Sequence, residues 1–390
     1  MIRCAGIPTS FLFLLGCFGL GLPGLSVLVC PGPVLGQGVS ESTSNDTARI
    51  TFSGLFYLGF EGARRGGVDS AAFVIDRSYL TARVRILPRL TGRLTLDTSQ
   101  DREGDGRGDM EVRLKYAYAK YDLGEFEGIR DLSLEGGIVH MVWLAFEEHI
   151  NLYRMRDPMF LERTGIFNSA DFGLTLSGSL GPDLPAEYRN EVSSDYAGRW
   201  GSFALGIYNG GGYHGDERNT NKVVQGRLTL RPFPDRLPGF QVSGLGIAGK
   251  GNRSGDQYPI PDWRTFDLFL SYQHPRGTVT AQRVWGEGNQ KGTWTEPFST
   301  LSEAGEATDY SGASVFGELR PGGGWRILGG YDQVDRTPGP EDAGLSRIHL
   351  GVGYDLGRQN ILLLDWDRLD WDREGRATDS RVQLVFQVKF

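Results

Sequence analysis

From residue 50 onward, apolar and polar residues alternate in short segments that recur at roughly twenty-residue spacing, the period-two signature of half-exposed β-strands. About sixteen such segments can be read, and their spacing leaves room for hairpins but not for crossover helices. The first runs from Ile50 to Phe60. The second sets Leu80, Ala82, Val84 and Ile86 against Arg77, Thr81, Arg83 and Arg85. The fourth sets Val112, Leu114, Tyr116 and Tyr118 against Arg113, Lys115, Ala117 and Ala119. The tenth sets Phe266, Leu268, Leu270 and Tyr272 against Thr265, Asp267, Ser271 and Gln273. Near the end, Leu362, Leu364 and Trp366 oppose Asp365 and Asp367. In the last segment Val382, Leu384, Phe386, Val388 and Phe390 oppose Arg381, Gln383, Gln387 and Lys389, with Val385 the one exception.

Charge on one face of nearly every strand suits a wet lumen and not a packed soluble core. An all-β transmembrane antiparallel barrel of about sixteen strands is therefore expected, one face of each strand in lipid and the other in water. An edge strand of a soluble sandwich would explain the terminal segment alone. The connections alternate too. Compact turns at 88–91, 274–277, 320–324 and 356–359 are separated by longer polar loops such as 101–109, 249–262, 287–308 and 339–344, as in outer-membrane barrels. Residues 181–199 fit this scheme worst, being too long for a tight turn.

Composition sharpens the picture. Arg3 is the only charged residue before Glu41, and an apolar run lies between them. Val34-Leu35-Gly36 has the small-residue spacing of a cleavage site, so residues 1–36 are expected to be a secretory signal peptide. The stretch ending in Cys17 also has the shape of a lipoprotein signal, although the apolar run continues well past it. Residues 37–48 read as a polar lead-in, and 49–390 as the barrel. Cys4, Cys17 and Cys30 all lie in the leader, so the mature chain has no disulfide framework, thiol chemistry or cysteine metal site. Losing Arg3 takes the net charge from −7 to −8, which argues against a nucleic-acid partner. Glycine, with 57 residues, serves tight turns, and 11% aromatic residues can supply interfacial girdles.

The longest unpatterned stretch, 144–170, holds Glu147, Glu148, Arg154, Arg156, Asp157, Glu162 and Arg163. Folded inward, such a loop would constrict the lumen, and its charges would set which ions pass. Folded outward, it would be an external cap. Arg77, Arg83, Arg85, Arg93, Arg113, Lys115, Arg227, Arg231 and Arg283 are the candidate anion contacts on polar strand faces, since guanidinium stays charged and offers forked donors to oxyanions. The alternative is that these cations pair across strands with Asp97, Glu111, Glu135, Asp267, Glu318, Asp332, Asp365 and Asp367. One sequence does not fix register, so both readings stay open.

The run 101–109 has acids at alternate positions but lacks the closing Glu of a calcium loop, since Val112 stands there. It reads as a solvated loop that could meet lipopolysaccharide through divalent ions. No cofactor or metal motif is evident. The five histidines, His140, His149, His214, His274 and His349, lie in no hydrolase motif, and no catalytic set is expected.

The chain also resembles a known family. Gly136-Gly137-Ile138, Phe146-Glu147-Glu148, Phe160-Leu161-Glu162-Arg163, Asp171-Phe172-Gly173 and the segment Gly206 to Gly210 follow an order similar to the third-loop region of the phosphate-selective porin O/P group. A terminal Phe390 resembles the closing-strand signal read by the barrel-assembly machinery. The resemblance implies a homotrimeric, sixteen-stranded anion channel of the bacterial outer membrane, with outer-membrane lipid as its surroundings and small ions and solutes as its cargo. Where that family tends to place a Lys-x-Pro-Phe-like segment, this chain has His140-Met-Val-Trp143. The family's lysine cluster is not found by motif, which weakens the implied phosphate preference. A plugged structural or ligand-binding barrel remains the alternative to an open channel.

Overall fold

The computed structural model describes residues 49–101, 106, 108–255, 259–296, 305–336, 344–372 and 375–390. The expected leader and lead-in fall outside these residues, as do parts of the loops at 101–109, 287–308 and 339–344.

Sixteen antiparallel strands close into one barrel. In order they are β1 (Ile50–Arg65), β2 (Val68–Leu87), β3 (Leu90–Gln100), β4 (Met110–Phe126), β5 (Ile129–His140), β6 (Ala170–Leu180), β7 (Gly201–Tyr208) and β8 (Val223–Leu230). They continue as β9 (Phe240–Lys250), β10 (Asp262–His274), β11 (Gly277–Glu287), β12 (Asp309–Gly322), β13 (Trp325–Arg336), β14 (Leu345–Asp355), β15 (Ile361–Trp371) and β16 (Asp379–Lys389). Three short helices interrupt the order: α1 (Leu144–Ile150) and α2 (Phe160–Arg163) between β5 and β6, and α3 (Ala186–Glu191) between β6 and β7. Neighbours in sequence pair in the sheet, and β1 pairs with β16 to close it, so no strand edge is left open.

Closure reaches the last residue. Gly54 and Phe390 exchange backbone hydrogen bonds of 2.9 and 3.1 Å. The Phe390 ring lies over Gly54, where an added Cβ would sit only 2.3 Å from it. A larger residue at 54 would displace the terminal ring.

The expected faces hold in most strands. Phe266, Leu268 and Leu270 are exposed on the outside of β10, while Thr265, Asp267 and Ser271 are buried inside. The same division holds in β14, β15 and β16. The outer surface is thus an apolar band of Phe, Leu, Val, Ile and Trp side chains.

β4 departs from the expected pattern. A register shift against β3 pairs Thr95 with Tyr116 and Leu96 with Leu114, leaving Lys115 as the extra residue of a bulge. Lys115, Tyr116 and Tyr118 therefore all turn inward, whereas strict alternation put both tyrosines outside with Val112 and Leu114. A bulge changes the parity of everything after it.

Candidate pore constriction

The 144–170 loop lies inside the barrel and has two unlike sides. Its apolar side includes Trp143, Leu144, Phe146, Ile150, Phe160 and Leu161, all buried. These pack on an inner wall that is itself apolar, with Tyr208, Leu245, Ile247, Trp263, Phe269 and Val284 pointing inward from β7 to β11. That half of the lumen is a dry core. Burying such side chains is worth about 1.5–3 kcal/mol each, which holds the loop against the wall.

Glu147 sits on this dry side. Burial pushes its carboxyl up to about 7, while Trp143 Nε1 donates to it at 2.8 Å and opposes the shift.

The second half of the loop is tied by ions to β12–β16. Arg163 Nη2 donates to Asp332 (2.6 Å), and Arg347 bridges Asp157 (2.5 Å) and Asp367 (2.8 Å). Arg381 joins Asp367 at 2.6 Å, and Tyr153 donates to Glu318 at 2.5 Å. Gln383 Nε2 and Arg381 Nη2 both donate to the Arg156 carbonyl, at 2.9 and 3.0 Å. Burial works against the Asp157 carboxylate, but Arg347, Arg381, Arg163 and Arg156 outweigh it and hold its pKa well below the usual carboxylate range. Burial, reinforced by Arg163 and Arg347, lowers the Arg156 guanidinium to about 10. Closer to the wet side, Arg154 binds Glu148 (2.6 Å) and Glu162 (2.5 Å), and the Glu162 carboxyl is lowered by Arg154 against the opposing effect of burial.

What stays open is the side facing β1–β5. A cavity of about 570 Å³ runs between this wall and the loop residues Ala145, Glu148, His149 and Arg154. Arg83, Arg93 and Lys115 border it from the wall. Lys115 is 4% exposed; its ammonium lies 3.3 Å from Tyr79 Oη and above the Tyr79 and Tyr116 rings. Arg93 donates to Thr95 Oγ1 and to His140 Nε2, each at 3.0 Å, and stacks on Tyr116. His140 Nδ1 lies 3.3 Å from Glu135, which places its proton there and leaves Nε2 to accept from Arg93. Arg83 reaches Ser53 at 3.3 Å. Among the described residues none of these three cations has a carboxylate within ion-pair distance.

Between loop and wall, Arg154 Nε donates to Tyr79 Oη at 3.5 Å. Above it, toward the long loops, Arg77 pairs with Asp97 (2.9 Å), and Tyr213 of the β7–β8 loop donates to the same carboxylate (3.0 Å).

The remaining candidates divide. Arg113 pairs with Glu111. Arg85 continues the inward parity of Thr81 and Arg83 and is exposed where β2 ends. Arg227 is 2% exposed and held by the Val142 carbonyl and the Ser202 and Thr229 hydroxyls, under the Phe146 and Tyr196 rings. Arg231 donates to the Pro238 and Tyr196 carbonyls. Both support inserted segments. Arg283 is a correction: it lies on the outer face of β11, paired with Leu268 and beside Ser311 (3.3 Å), because the inner face there belongs to Gln282 and Val284. Of the expected acid partners, Asp97, Glu111, Glu318, Asp332 and Asp367 are ion-paired with arginine, and Glu135 lies 3.9 Å from Lys120.

Residues that sequence reasoning missed are Tyr79, Tyr116 and Tyr213, together with the chain from 183 to 197. The misfit of 181–199 as a turn was the one signal for the latter.

No protein-family model matches the chain, and no curated protein matches it. Solved structures do. The anion-selective porin from Comamonas acidovorans aligns with a TM-score of 0.60 at 11% identity, covering 88% of this chain and 100% of that one. OmpF of Salmonella typhi, solved with daunomycin, gives 0.57 at 15% identity over 89% and 99%. The outer-membrane channel DcaP of Acinetobacter baumannii gives 0.56 at 10% identity over 90% and 100%. At these identities the likeness is one of fold: the sixteen-stranded barrel of this chain aligns with all three over most of its length.

Proposed function

We propose that the chain is an outer-membrane diffusion porin with a preference for anions. One observation carries the anion preference: among the described residues Arg83, Arg93 and Lys115 face an open cavity with no carboxylate of their own, while the acids across the lumen are engaged in anchoring the loop. Uncompensated charge beside low-dielectric walls raises the local concentration of counter-ions. The mechanism is passive. Solutes pass through water between the β1–β5 wall and the 144–154 part of the loop, and the approach of Arg154 to Tyr79 sets the width.

The apolar outer band supports residence in a bilayer, and the fold likeness supports the outer membrane, where lipopolysaccharide would cover the outer leaflet. Trimeric assembly and delivery by the barrel-assembly machinery belong to the same reading, as does phosphate among the permeant anions. A second reading, a barrel without an open path, is favoured by the Tyr213–Asp97 and Arg154–Tyr79 contacts that narrow the lumen. Planar-bilayer recording separates them. Stepwise conductance supports the porin. Its absence, together with no liposome swelling in small sugars or phosphate, supports the plugged barrel.

A further inference from the structure

A second segment enters the lumen from the end opposite the long loops. The chain between β6 and β7 leaves the wall through a stem in which Asp183 bridges Gly198 and Leu184 N donates to the Ala197 carbonyl at 2.8 Å. From this stem α3 and the residues after it reach the 144–170 loop from below. The Tyr196 ring meets Phe146 edge to face at 5.2 Å, and His149 Nε2 lies 3.7 Å from Asp195. Arg227 stacks beneath both rings, and Arg231 holds the Tyr196 carbonyl. The two insertions therefore meet in mid-lumen.

The His149–Asp195 part of this contact stands between two cavities. Ala145, His149, Ser194 and Asp195 border both the 570 Å³ cavity and a neighbouring one of about 530 Å³, and so do Arg93, His140 and Arg189. The two differ in charge. The first contains Arg83 and Lys115, which lack carboxylate partners. The second is closer to balance: Lys120 faces Glu135 at 3.9 Å, and Arg130 and Arg189 face Asp183 at 3.6 and 3.2 Å, although its Arg93 and Arg227 have no carboxylate partner among the described residues.

We propose that residues 181–199 are a second selectivity element, a divider that joins α1 in mid-lumen and keeps a strongly cationic arm apart from a more nearly balanced arm. This rests on the anion-porin reading, because it assigns the anion path to the first arm. A divider of this kind restricts conductance and sharpens selectivity together, since without it solutes reach the more nearly balanced arm as freely as the cationic one.

The test uses the full chain folded as a barrel, verified by heat-modifiable gel migration. In one variant residues 186–195 are replaced by a short glycine linker closing the existing stem. In a second, Tyr196→Ala removes only the ring that meets Phe146. Conductance and reversal potential in a potassium chloride gradient are measured for both and for the parent. Trimming should raise single-channel conductance and move the reversal potential toward zero, and Tyr196→Ala should do the same to a smaller degree. Folded variants with the parent's conductance and reversal potential would overturn the divider. A parent with no anion preference would defeat the anion reading alone, and a conductance rise on trimming would then still support a divider of the lumen.

Discussion

Arg83 and Arg93 stand directly opposite one another on the β2–β3 ladder, with no carboxylate of the described residues within ion-pair distance of either. Like charges at paired positions are destabilising, so the pair is a cost to folding that an anion in the lumen would offset. Replacing Arg83 by Gln should stabilise the barrel slightly, by about 0.2–1 kcal/mol, and reduce anion preference. Denaturant unfolding and reversal potential measured on the same preparation would check both. A stabilised barrel with unchanged selectivity would remove Arg83 from the permeation path.

Lys115 offers a sharper comparison. Its ammonium is buried and, among the described residues, its hydrogen-bond partner is a phenol oxygen, whereas nearby Arg113 pairs with Glu111. Lys115→Met should lower anion selectivity, while Arg113→Gln should leave it nearly unchanged. Equal effects would mean that proximity to the lumen matters and pairing does not.

The loop anchor predicts a different phenotype. Arg347 bridges Asp157 of the loop to Asp367 of β15, and all three side chains are largely buried. Removing one partner of a buried pair costs about 3–5 kcal/mol because it strands the other charge. Arg347→Ala should free the loop's second half and give noisy, larger openings in single-channel records, with a lowered unfolding midpoint. Asp157 contributes in the depressed-pKa sense. Its stabilisation is present above its unfolded pKa and is lost only as pH falls through the lower folded value, so quiet openings should persist into acid beyond the normal carboxylate range.

Glu147 has the opposite sign. Its folded pKa of about 7 exceeds the unfolded value, so between the two the folded state binds more protons and stability falls as pH rises. Glu147→Gln keeps an acceptor for Trp143 and should abolish that slope, leaving the variant more stable than the parent at pH above 7. Thermal unfolding of both proteins across this range is the check. Parallel curves would show that Glu147 does not titrate as described.

Alternation made most of this architecture legible, and the reasons it failed elsewhere are local. β14 to β16 read correctly because one face carries charged and polar side chains and the other an apolar exterior, and β10 because Thr265, Asp267 and Ser271 keep part of its inner face polar beside Trp263 and Phe269. β11 misled because its inner face lies against the dry core, so Val284 turns inward and Arg283 outward. Polar residues mark the lumen only where the lumen is wet. β4 misled because a single extra residue, Lys115, reverses parity without a glycine or proline to announce it. The mixed charges of 144–170 were visible, and Arg154 pairs within the loop, but the partners of Arg163 and Asp157 lie 169 and 190 residues away on β13 and β14, beyond anything spacing can show. The two competing fates for the cations both occur, pairing at Arg77 and Arg113 and lack of pairing at Arg83, Arg93 and Lys115.

If Arg83, Arg93 and Lys115 on the β1–β5 wall set the sign of selectivity, that sign follows their charge. The most direct measurement is the reversal potential of the purified protein in a planar bilayer under a potassium chloride gradient. A potential on the chloride side that moves toward zero in Arg83→Gln and Lys115→Met is the result this account predicts. A potential at zero or on the potassium side would contradict it.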